Sequence, residues 1–403
     1  MPITTAANQM FEGITGVYGI CLSLTAAVSA FVGPMIAQYV PFDIVTIALT
    51  LASGLAYVIS SLPSPLSNTG GNKTGPVIGT MLAGFVYAFG TQNYLAVAAF
   101  FPAEAVVALS VGSGLSIILG SGIFIALMEG AFEQDWRRCF LVFLPTTLGI
   151  PLVWWGLFDK QRRLAAELCR KQSLQKRRDT SSSSELETGG TGDEQQRTVI
   201  SSTVLDDNGL PRNLRPGFGP NRTRTGLLFK TLLPNYVLPL IICTTCAILS
   251  LFGLAPILQD LERFKGAPKG DSEFQLVFFA YGSAQFLFST LVIWKPIPNI
   301  WLWTGAEIVF TTMAIVQLWH PFLTYFGVWF VIMFMIGGCV GGSVTNTNYK
   351  IAADFQQAGE PDEVRSFANS YAGLGNFGGD ALGGALGLVF QMAIAKHLSP
   401  TTT

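Results

Sequence analysis

The stretch GITGVYGICLSLTAAVSAFVGPMIAQYVPF, residues 13–42, contains no Asp, Glu, Lys or Arg. A bilayer has a hydrocarbon core about 30 Å thick, which an α-helix crosses with roughly 20 apolar residues. This stretch is therefore long enough to span a membrane. Comparable charge-free stretches lie at residues 44–72, 74–103, 105–128, 139–158, 231–259, 274–294, 308–349 and 381–395. The sequence predicts an all-α polytopic membrane protein.

The composition agrees with this prediction. The chain has 403 residues, of which 50% are hydrophobic and only 12% are charged, whereas a soluble domain carries about 25% charged residues. The lipid bilayer is therefore the first predicted partner. The net charge of −1 predicts no nucleic-acid partner.

About ten membrane-spanning helices are predicted, five before and five after a polar segment. Their predicted ranges are 14–37, 42–62, 76–100, 104–128, 137–158, 231–254, 274–294, 300–318, 322–345 and 367–392. The prediction divides the chain into an N-terminal bundle (1–158), a connector (159–230) and a C-terminal bundle (231–395). Five spans in the first half is an odd number, which raises the expectation of a further N-terminal span outside this sequence.

The connector has a different composition from the rest of the chain. It holds 14 of the chain's 24 Lys and Arg residues, together with a run of four serines. Such a segment cannot bury a core and is predicted to be disordered, so it is available to cytosolic partners. Its basic residues follow a span directly, which places this side in the cytosol. Asn72 begins an N-glycosylation sequon and then falls on the lumenal side.

Two carboxylates interrupt the predicted spans, Glu307 in the eighth and Asp380 in the tenth. An ionised side chain at mid-bilayer costs about 2.5–3.5 kcal/mol on insertion scales. These residues are therefore candidates for a polar translocation path or a proton-coupling site. Uncharged candidates in the spans are Thr91, Gln92, Asn93, Gln285, Gln317, Asn369 and Asn376. The alternative for all of them is interhelical hydrogen bonding, or a position near the membrane surface.

No enzyme motif or metal-binding pattern is found in the sequence, and no cofactor is predicted. The glycines at 373, 375 and 378 match a dinucleotide-binding pattern, but no strand precedes them. The sequence has two histidines, too few for a histidine-rich metal site. Cys243 and Cys246 have a redox spacing, but no strand precedes them, so we interpret them as packing residues. The glycines at 375, 379, 383 and 387 recur every four residues, which is typical of closely packed membrane helices.

Two stretches of the sequence form a recognisable pattern. The first is Phe100-Phe101-Pro102 with the glycine-rich stretch 110–120. The second begins at Asn346-Thr347, passes through Ile351-Ala352, and ends with DEVRSFA at 362–368. Together they resemble the battenin family of lysosomal or vacuolar membrane proteins. The likeness covers most of the chain at low identity, although no counterpart of the family's first helix precedes Gly13. Asn346 is accordingly added to the candidate path residues.

The resemblance implies a fold similar to the major facilitator superfamily, with two helix bundles around a central cavity. It also implies residence in a late endosomal, lysosomal or vacuolar membrane. Members of the family are linked to lumenal pH, basic amino acids and glycerophosphodiesters. The leading hypothesis is therefore a secondary transporter for a small polar solute or a proton. The alternatives are a non-transporting scaffold in lysosomal trafficking and an equilibrative nucleoside-type carrier.

Overall fold

The computed structural model describes most of the chain outside the connector. The described residues are 2–11, 15–37, 40, 42–61, 74–98, 103–132, 135–157, 226–268, 272–297, 299–360 and 362–398. Within these ranges the regular structure is helical, apart from an isolated bridge between Lys265 and Tyr325. The prediction of an all-α protein is confirmed.

Twelve helices are named here in chain order. Two short ones come first, α1 (Pro2–Thr5) and α2 (Ala7–Met10). The long helices of the first half are α3 (Thr15–Ala37), α4 (Phe42–Ser61), α5 (Thr74–Ala98), α6 (Ala103–Gly130) and α7 (Trp136–Gly156). Those of the second half are α8 (Leu228–Asp260), α9 (Ser272–Trp294), α10 (Ile300–Trp319), α11 (Phe326–Gln357) and α12 (Asp362–Leu398).

Each of the ten predicted spans corresponds to one long helix. In the described part of the chain, nine of these are long and apolar enough to cross a membrane, and α5 is not among the nine. This helix carries three adjacent polar residues at positions 91–93, which lower its hydropathy. Helices α11 and α12 are longer than predicted, because a helix can continue through polar residues after it leaves the apolar layer.

Two helices are not uniformly α-helical. Helix α7 passes through a 3-10 turn at Leu144–Leu148 and ends in a π-helical turn at Val153–Leu157. Helix α8 begins with π-helical turns at Leu228–Val237, which contain Pro234. Proline cannot donate a backbone hydrogen bond, and the wider turns accommodate it.

The ten long helices form two bundles that meet along two seams. In the first bundle α5 packs against α3 and α4, and α4 packs against α7. In the second, α11 packs against α9 and α10, and α8 packs against α10 and α12. The first seam joins α12 to α3 and α5, and the second joins α6 to α9 and α11. Helix α6 thus contacts the second bundle along much of its length.

Glycines of α12 allow this helix to approach α8 closely within the second bundle and α3 closely across the first seam. A Cβ atom on Gly387 of α12 would lie 3.0 Å from the Cα of Gly253 in α8, and one on Gly384 would lie 2.8 Å from the carbonyl carbon of Gly19 in α3. Gly375, Gly379 and Gly383 likewise face α8. The close-packing interpretation of the glycine series is confirmed.

Consecutive long helices run in opposite directions, so the molecule has two ends. The connector end is the one at which residues 158–225 join α7 to α8, and the other is called the far end. Large apolar side chains are exposed on the outer surface of the bundles, among them Leu51 at 64% and Leu152 at 69%. In water such a surface would be unfavourable, whereas lipid tails solvate it.

Candidate functional site

A polar stripe runs along α12 where this helix faces the first bundle. Its residues are spaced by three and four positions, which places them on one face of the helix. They are Ser366, Asn369, Gly373, Asn376 and Asp380. Near the connector end, the Ser366 hydroxyl donates a hydrogen bond to the carbonyl of Ala96 in α5, at 2.9 Å. The stripe therefore lies between the two bundles.

Asp380 is the residue of this stripe that lies farthest from the connector end. It is partly buried and interacts electrostatically with Tyr87 of α5 and Tyr281 of α9. The hydroxyl of Tyr87 also lies beside the side chains of Ser113 in α6 and Asn376 in α12. We call these five residues the seam site. They come from both bundles, so any movement of one bundle against the other changes the surroundings of Asp380.

Glu307 has different surroundings, inside the second bundle. Its side chain is fully buried, at 0% exposure, beside Thr311 and the thiol of Cys339. Cys243 and Cys246 of α8 are also within electrostatic range. Among the described residues, neither carboxyl oxygen has a hydrogen-bond partner within normal geometry. A buried carboxyl group without partners is unfavourable, most of all when ionised.

The thiols around Glu307 do not form a metal site. Within the described ranges, no group of three or more His, Cys, Asp or Glu side chains is placed to hold a metal ion. Cys243 and Cys246 are free thiols in the interior of an apolar helix. The Cys243 thiol points to the carbonyl of Cys339 at 3.9 Å, so it packs α8 against α11.

Tyr281 connects the surroundings of the two carboxyl groups. It is buried in α9, with 6% of its surface exposed, and it interacts electrostatically with both Asp380 and Glu307. Its ring stacks on that of Phe278, with the ring centres 6.3 Å apart. Tyr281 thus belongs to the seam site and also borders the surroundings of Glu307 inside the second bundle.

The three polar residues of α5 have separate environments. Gln92 is buried near the first seam, and its amide nitrogen donates to the carbonyl of Ala30 in α3 at 2.7 Å. A Cβ atom on Gly373 of the stripe would lie 3.3 Å from the Gln92 Cγ atom. Asn93 donates to the carbonyl of Phe89 in its own helix at 2.6 Å. Thr91 is half-buried.

Asn346 lies away from the seam site. Its amide nitrogen donates to the carbonyl of Gly342 at 2.7 Å, and its oxygen accepts from the backbone N–H of Ile297 at 2.7 Å. The first bond lies within α11, and the second fastens α11 to the connection between α9 and α10. Asn72 and its sequon lie outside the described residues.

Sequence reasoning missed Tyr87, Tyr281 and the role of Ser113. The two tyrosines are neutral and lie in apolar stretches, where an aromatic residue normally indicates packing. Ser113 belongs to the glycine-rich stretch 110–120, whose small residues are typical of closely packed membrane helices. The sequence did carry a signal for the stripe on α12, because its residues from Ser366 to Asp380 are spaced by three and four positions, as on one face of a helix.

The fold, two helix bundles that meet along two seams, is similar to that of the major facilitator superfamily. Two solved structures are similar to this chain. The crystal structure of the human organic anion transporter MFSD10 (TETRAN) has a TM-score of 0.54 at 12% sequence identity, covering 94% of this chain and 79% of that one. The proton:xylose symporter XylE, bound to 6-bromo-6-deoxy-D-glucose, has a TM-score of 0.48 at 13% identity, covering 98% and 92%.

The family is shown by the sequence. The family model described as CLN3 protein matches residues 15–397, and the chain belongs to this family. The resemblance to battenin drawn from two short stretches is thereby confirmed over nearly the whole chain. No curated protein sequence matches this chain. The molecule is a multi-pass membrane protein with a transporter-like fold.

Proposed function

We propose that this protein is a secondary transporter that works by alternating access, with the seam site as its solute- or proton-binding site. The observation that carries the proposal is the position of Asp380 between the bundles. Transporters of this fold bind their substrates near the bilayer midplane, at the interface between repeats that rock against each other. A carboxylate at that interface can be exposed to one side of the membrane and then to the other.

The chemistry of the seam site favours a positively charged or hydrogen-bonding solute. Asp380 supplies a negative charge, the hydroxyls of Tyr87, Tyr281 and Ser113 supply donors and acceptors, and Asn376 supplies an amide. The ring of Tyr87 also meets that of Phe377 edge to face, with the ring centres 5.1 Å apart. Aromatic faces beside a carboxylate favour an ammonium or guanidinium group. Basic amino acids fit this description, and glycerophosphodiesters, whose glycerol group carries hydroxyls, are the second solute class.

Glu307 enters the proposal as a second protonatable group. It does not face the first bundle, but Tyr281 interacts with both carboxyl groups. A proton taken up at Asp380 therefore changes the electrostatic environment of Tyr281 and, through it, that of Glu307. In this proposal solute binding occurs at the seam site, and Glu307 adjusts the proton coupling.

Thr91, Gln92, Asn93 and Asn346 are assigned supporting roles in this proposal. Gln92 is the one most directly beside the polar stripe, and it lines the path from the connector end to Asp380. Asn346 holds the connection between α9 and α10 in place. The proposal keeps Asn72 as a glycosylated lumenal residue, because the basic connector favours a cytosolic connector end.

The proposed location is a lysosomal or vacuolar membrane, where the protein influences lumenal pH. Membership of the CLN3 protein family supports this location, and the resemblance to battenin links it to such compartments. The connector remains a proposed binding region for cytosolic partners. A scaffold in lysosomal trafficking is the second candidate function, supported by the concentration of basic residues in residues 159–230.

The test is solute uptake into proteoliposomes under an imposed pH gradient. Radiolabelled arginine and a glycerophosphodiester are the probes, and the variants are Asp380→Asn and Asp354→Asn. Asp354 accepts a hydrogen bond from Tyr236 at 2.6 Å at the connector end of the second bundle, so it is a matched control. Uptake that depends on Asp380 but not on Asp354 supports the proposal.

Two results would count against this proposal, and a third would leave it standing. Uptake of both probes that is unchanged by Asp380→Asn refutes the site. No uptake of any probe by folded wild-type protein, combined with loss of cellular function on deletion of residues 179–225, favours the scaffold. Deletion of the same residues without loss of uptake leaves the transporter proposal standing.

A further inference from the structure

The N-terminal segment, residues 2–11, has an unusual position for a short stretch of chain. It contains the two short helices α1 and α2 and no charged residue. All four residues of α1 are buried, and so are Ala6, Ala7, Met10 and Phe11. A segment that merely led into α3 would not need to bury so many side chains.

This segment contacts helices of both bundles at the far end. Helix α1 packs against α6 and the first turns of α7, which belong to the first bundle, and against α9 of the second. Ile3, Met10 and Phe11 join the apolar core that also includes Phe124 of α6 and Phe274 of α9. The segment therefore fills space between the bundles.

A hydrogen bond and a chain of aromatic rings extend this contact. The hydroxyls of Thr4 and Tyr18 are 2.6 Å apart in a buried setting. The ring centre of Tyr18 is 6.2 Å from that of Phe11 and 5.3 Å from that of Phe252 in α8. Phe252 is in turn 6.2 Å from Phe274. The chain of rings thus passes from the N-terminal segment through α3 to two helices of the second bundle.

The consequence concerns the opening of the far end. The bundles can separate at this end only if the N-terminal segment loses its contacts with one of them. That loss exposes apolar side chains and breaks the Tyr18 ring contacts. The contacts of residues 2–11 therefore contribute to the free energy that keeps the far end closed.

We propose that the N-terminal segment is a gate that closes the far end of the pathway between the bundles. The role of a gate rests on the alternating-access function proposed above. Opening towards the far side then requires the segment to move away from α9 or from α6 and α7. Weakening its contacts shifts the population towards the state that is open at the far end.

The experiment measures the exposure of a cysteine placed in the second seam. All six native cysteines are replaced by serine or alanine, and Ser121→Cys is introduced as the reporter. Ser121 is fully buried in α6, one turn from Ile117, which contacts Gly282 of α9. The initial rate of alkylation by a charged maleimide is measured on protein in lipid nanodiscs.

Three variants weaken the gate to different degrees. Thr4→Val and Tyr18→Phe each remove one partner of the buried hydrogen bond, and each should raise the alkylation rate about fivefold. Ile3→Asp places a charge in the apolar contact and should raise it by about a hundredfold. Tyr57→Phe is the matched control, because the ring partners of Tyr57 are Phe140 and Phe143 within the first bundle. It should leave the rate unchanged.

A second reporter separates gating from general loosening. Ser110→Cys lies near the connector end, where Ser110 accepts a hydrogen bond from Asn348 at 3.2 Å. Its alkylation rate should not rise in the Thr4→Val, Tyr18→Phe or Ile3→Asp backgrounds. Equal increases at Ser110→Cys and Ser121→Cys overturn the proposal, because they indicate a loosened fold. An unchanged Ser121→Cys rate in folded Tyr18→Phe protein also overturns it.

Failure of this gate is distinguishable from failure of the proposed function. Alkylation reports the opening of the far end and needs neither a solute nor Asp380. If Asp380→Asn leaves uptake unchanged while Tyr18→Phe still accelerates alkylation, the seam site is refuted and the gate remains. The reverse pair of results refutes the gate alone.

Discussion

Asp380 and Glu307 are both acidic residues in apolar helices, but the fold places them in different surroundings. Asp380 is partly buried where α12 meets the first bundle, among hydroxyl and amide groups from four other side chains and two bundles. Glu307 is fully buried inside the second bundle, and neither carboxyl oxygen has a hydrogen-bond partner among the described residues. Burial alone therefore does not identify a transport site. In the proposed mechanism, the position relative to the interface between the bundles distinguishes Asp380 from Glu307.

The largest expected effect comes from the charge at the seam. Asp380→Asn should lower pH-gradient-driven uptake by about a hundredfold or more, because a lost charged contact in a desolvated site costs about 3 kcal/mol. Asp380→Glu keeps the charge and should retain more than a tenth of the uptake. Proteoliposome uptake of radiolabelled arginine measures both. Equal uptake by Asp380→Asn and wild type would remove the distinction between the two carboxylates.

Glu307→Met tests the other half of the comparison through stability. The substitution has similar volume and removes a buried carboxyl without partners, so it should increase the free energy of unfolding by about 2 kcal/mol. Thermal unfolding in detergent measures the change. Glu104→Met, at an exposed position, is the control and should stay within about 0.5 kcal/mol of wild type. A destabilised Glu307→Met would show that the carboxyl makes contacts essential to the bundle.

The fold was largely predictable because lipid imposes a simple length rule. Ten spans were predicted, and a long helix corresponds to each of them. The π-helical start of α8 was not predictable, since it depends on how Pro234 is accommodated by neighbouring helices. The continuation of α11 beyond residue 345 was missed because a charge-free stretch predicts the membrane crossing rather than the helix end.

The site was only partly predictable, and the reason is helix rotation. Charge alone identified Asp380 and Glu307 as candidates, but hydropathy does not reveal which face of a helix meets which neighbour. Asn346 was predicted as a path residue from the resemblance to battenin. Its side chain instead accepts a hydrogen bond from the backbone of the connection between α9 and α10. Tyr87 and Tyr281 carried no signal in the sequence, because their hydroxyls become significant only where two helices from different bundles meet.

The tyrosines at the seam provide a smaller test. Tyr87→Phe and Tyr281→Phe each remove one hydroxyl near Asp380, and each should reduce uptake about tenfold without unfolding the protein. Tyr236→Phe removes a hydroxyl that donates a hydrogen bond to Asp354, and it should leave uptake within about twofold of wild type. If Tyr281→Phe leaves uptake unchanged while Tyr87→Phe reduces it, the Tyr281 hydroxyl does not couple Asp380 to Glu307 during transport.

The smallest expected effect is at Asn346. Asn346→Ala removes the hydrogen bond to the N–H of Ile297 and should destabilise the protein by about 1 kcal/mol. Uptake per folded molecule should be unchanged, because Asn346 lies away from the seam site. Thermal unfolding and uptake, measured on the same preparation, separate these two effects. A loss of uptake larger than the loss of folded protein would bring Asn346 into the path.

The central claim is that the two bundles move reciprocally around Asp380, and distance measurements test it most directly. Spin labels are placed at Glu104 and Lys230 on the connector end and at Arg138 and Glu262 on the far end, all exposed in the structure. Pulsed electron paramagnetic resonance then compares opposite pH conditions. We predict that one pair lengthens as the other shortens, and that Asp380→Asn suppresses the change. Single, unchanged distances for both pairs under all conditions would contradict the account.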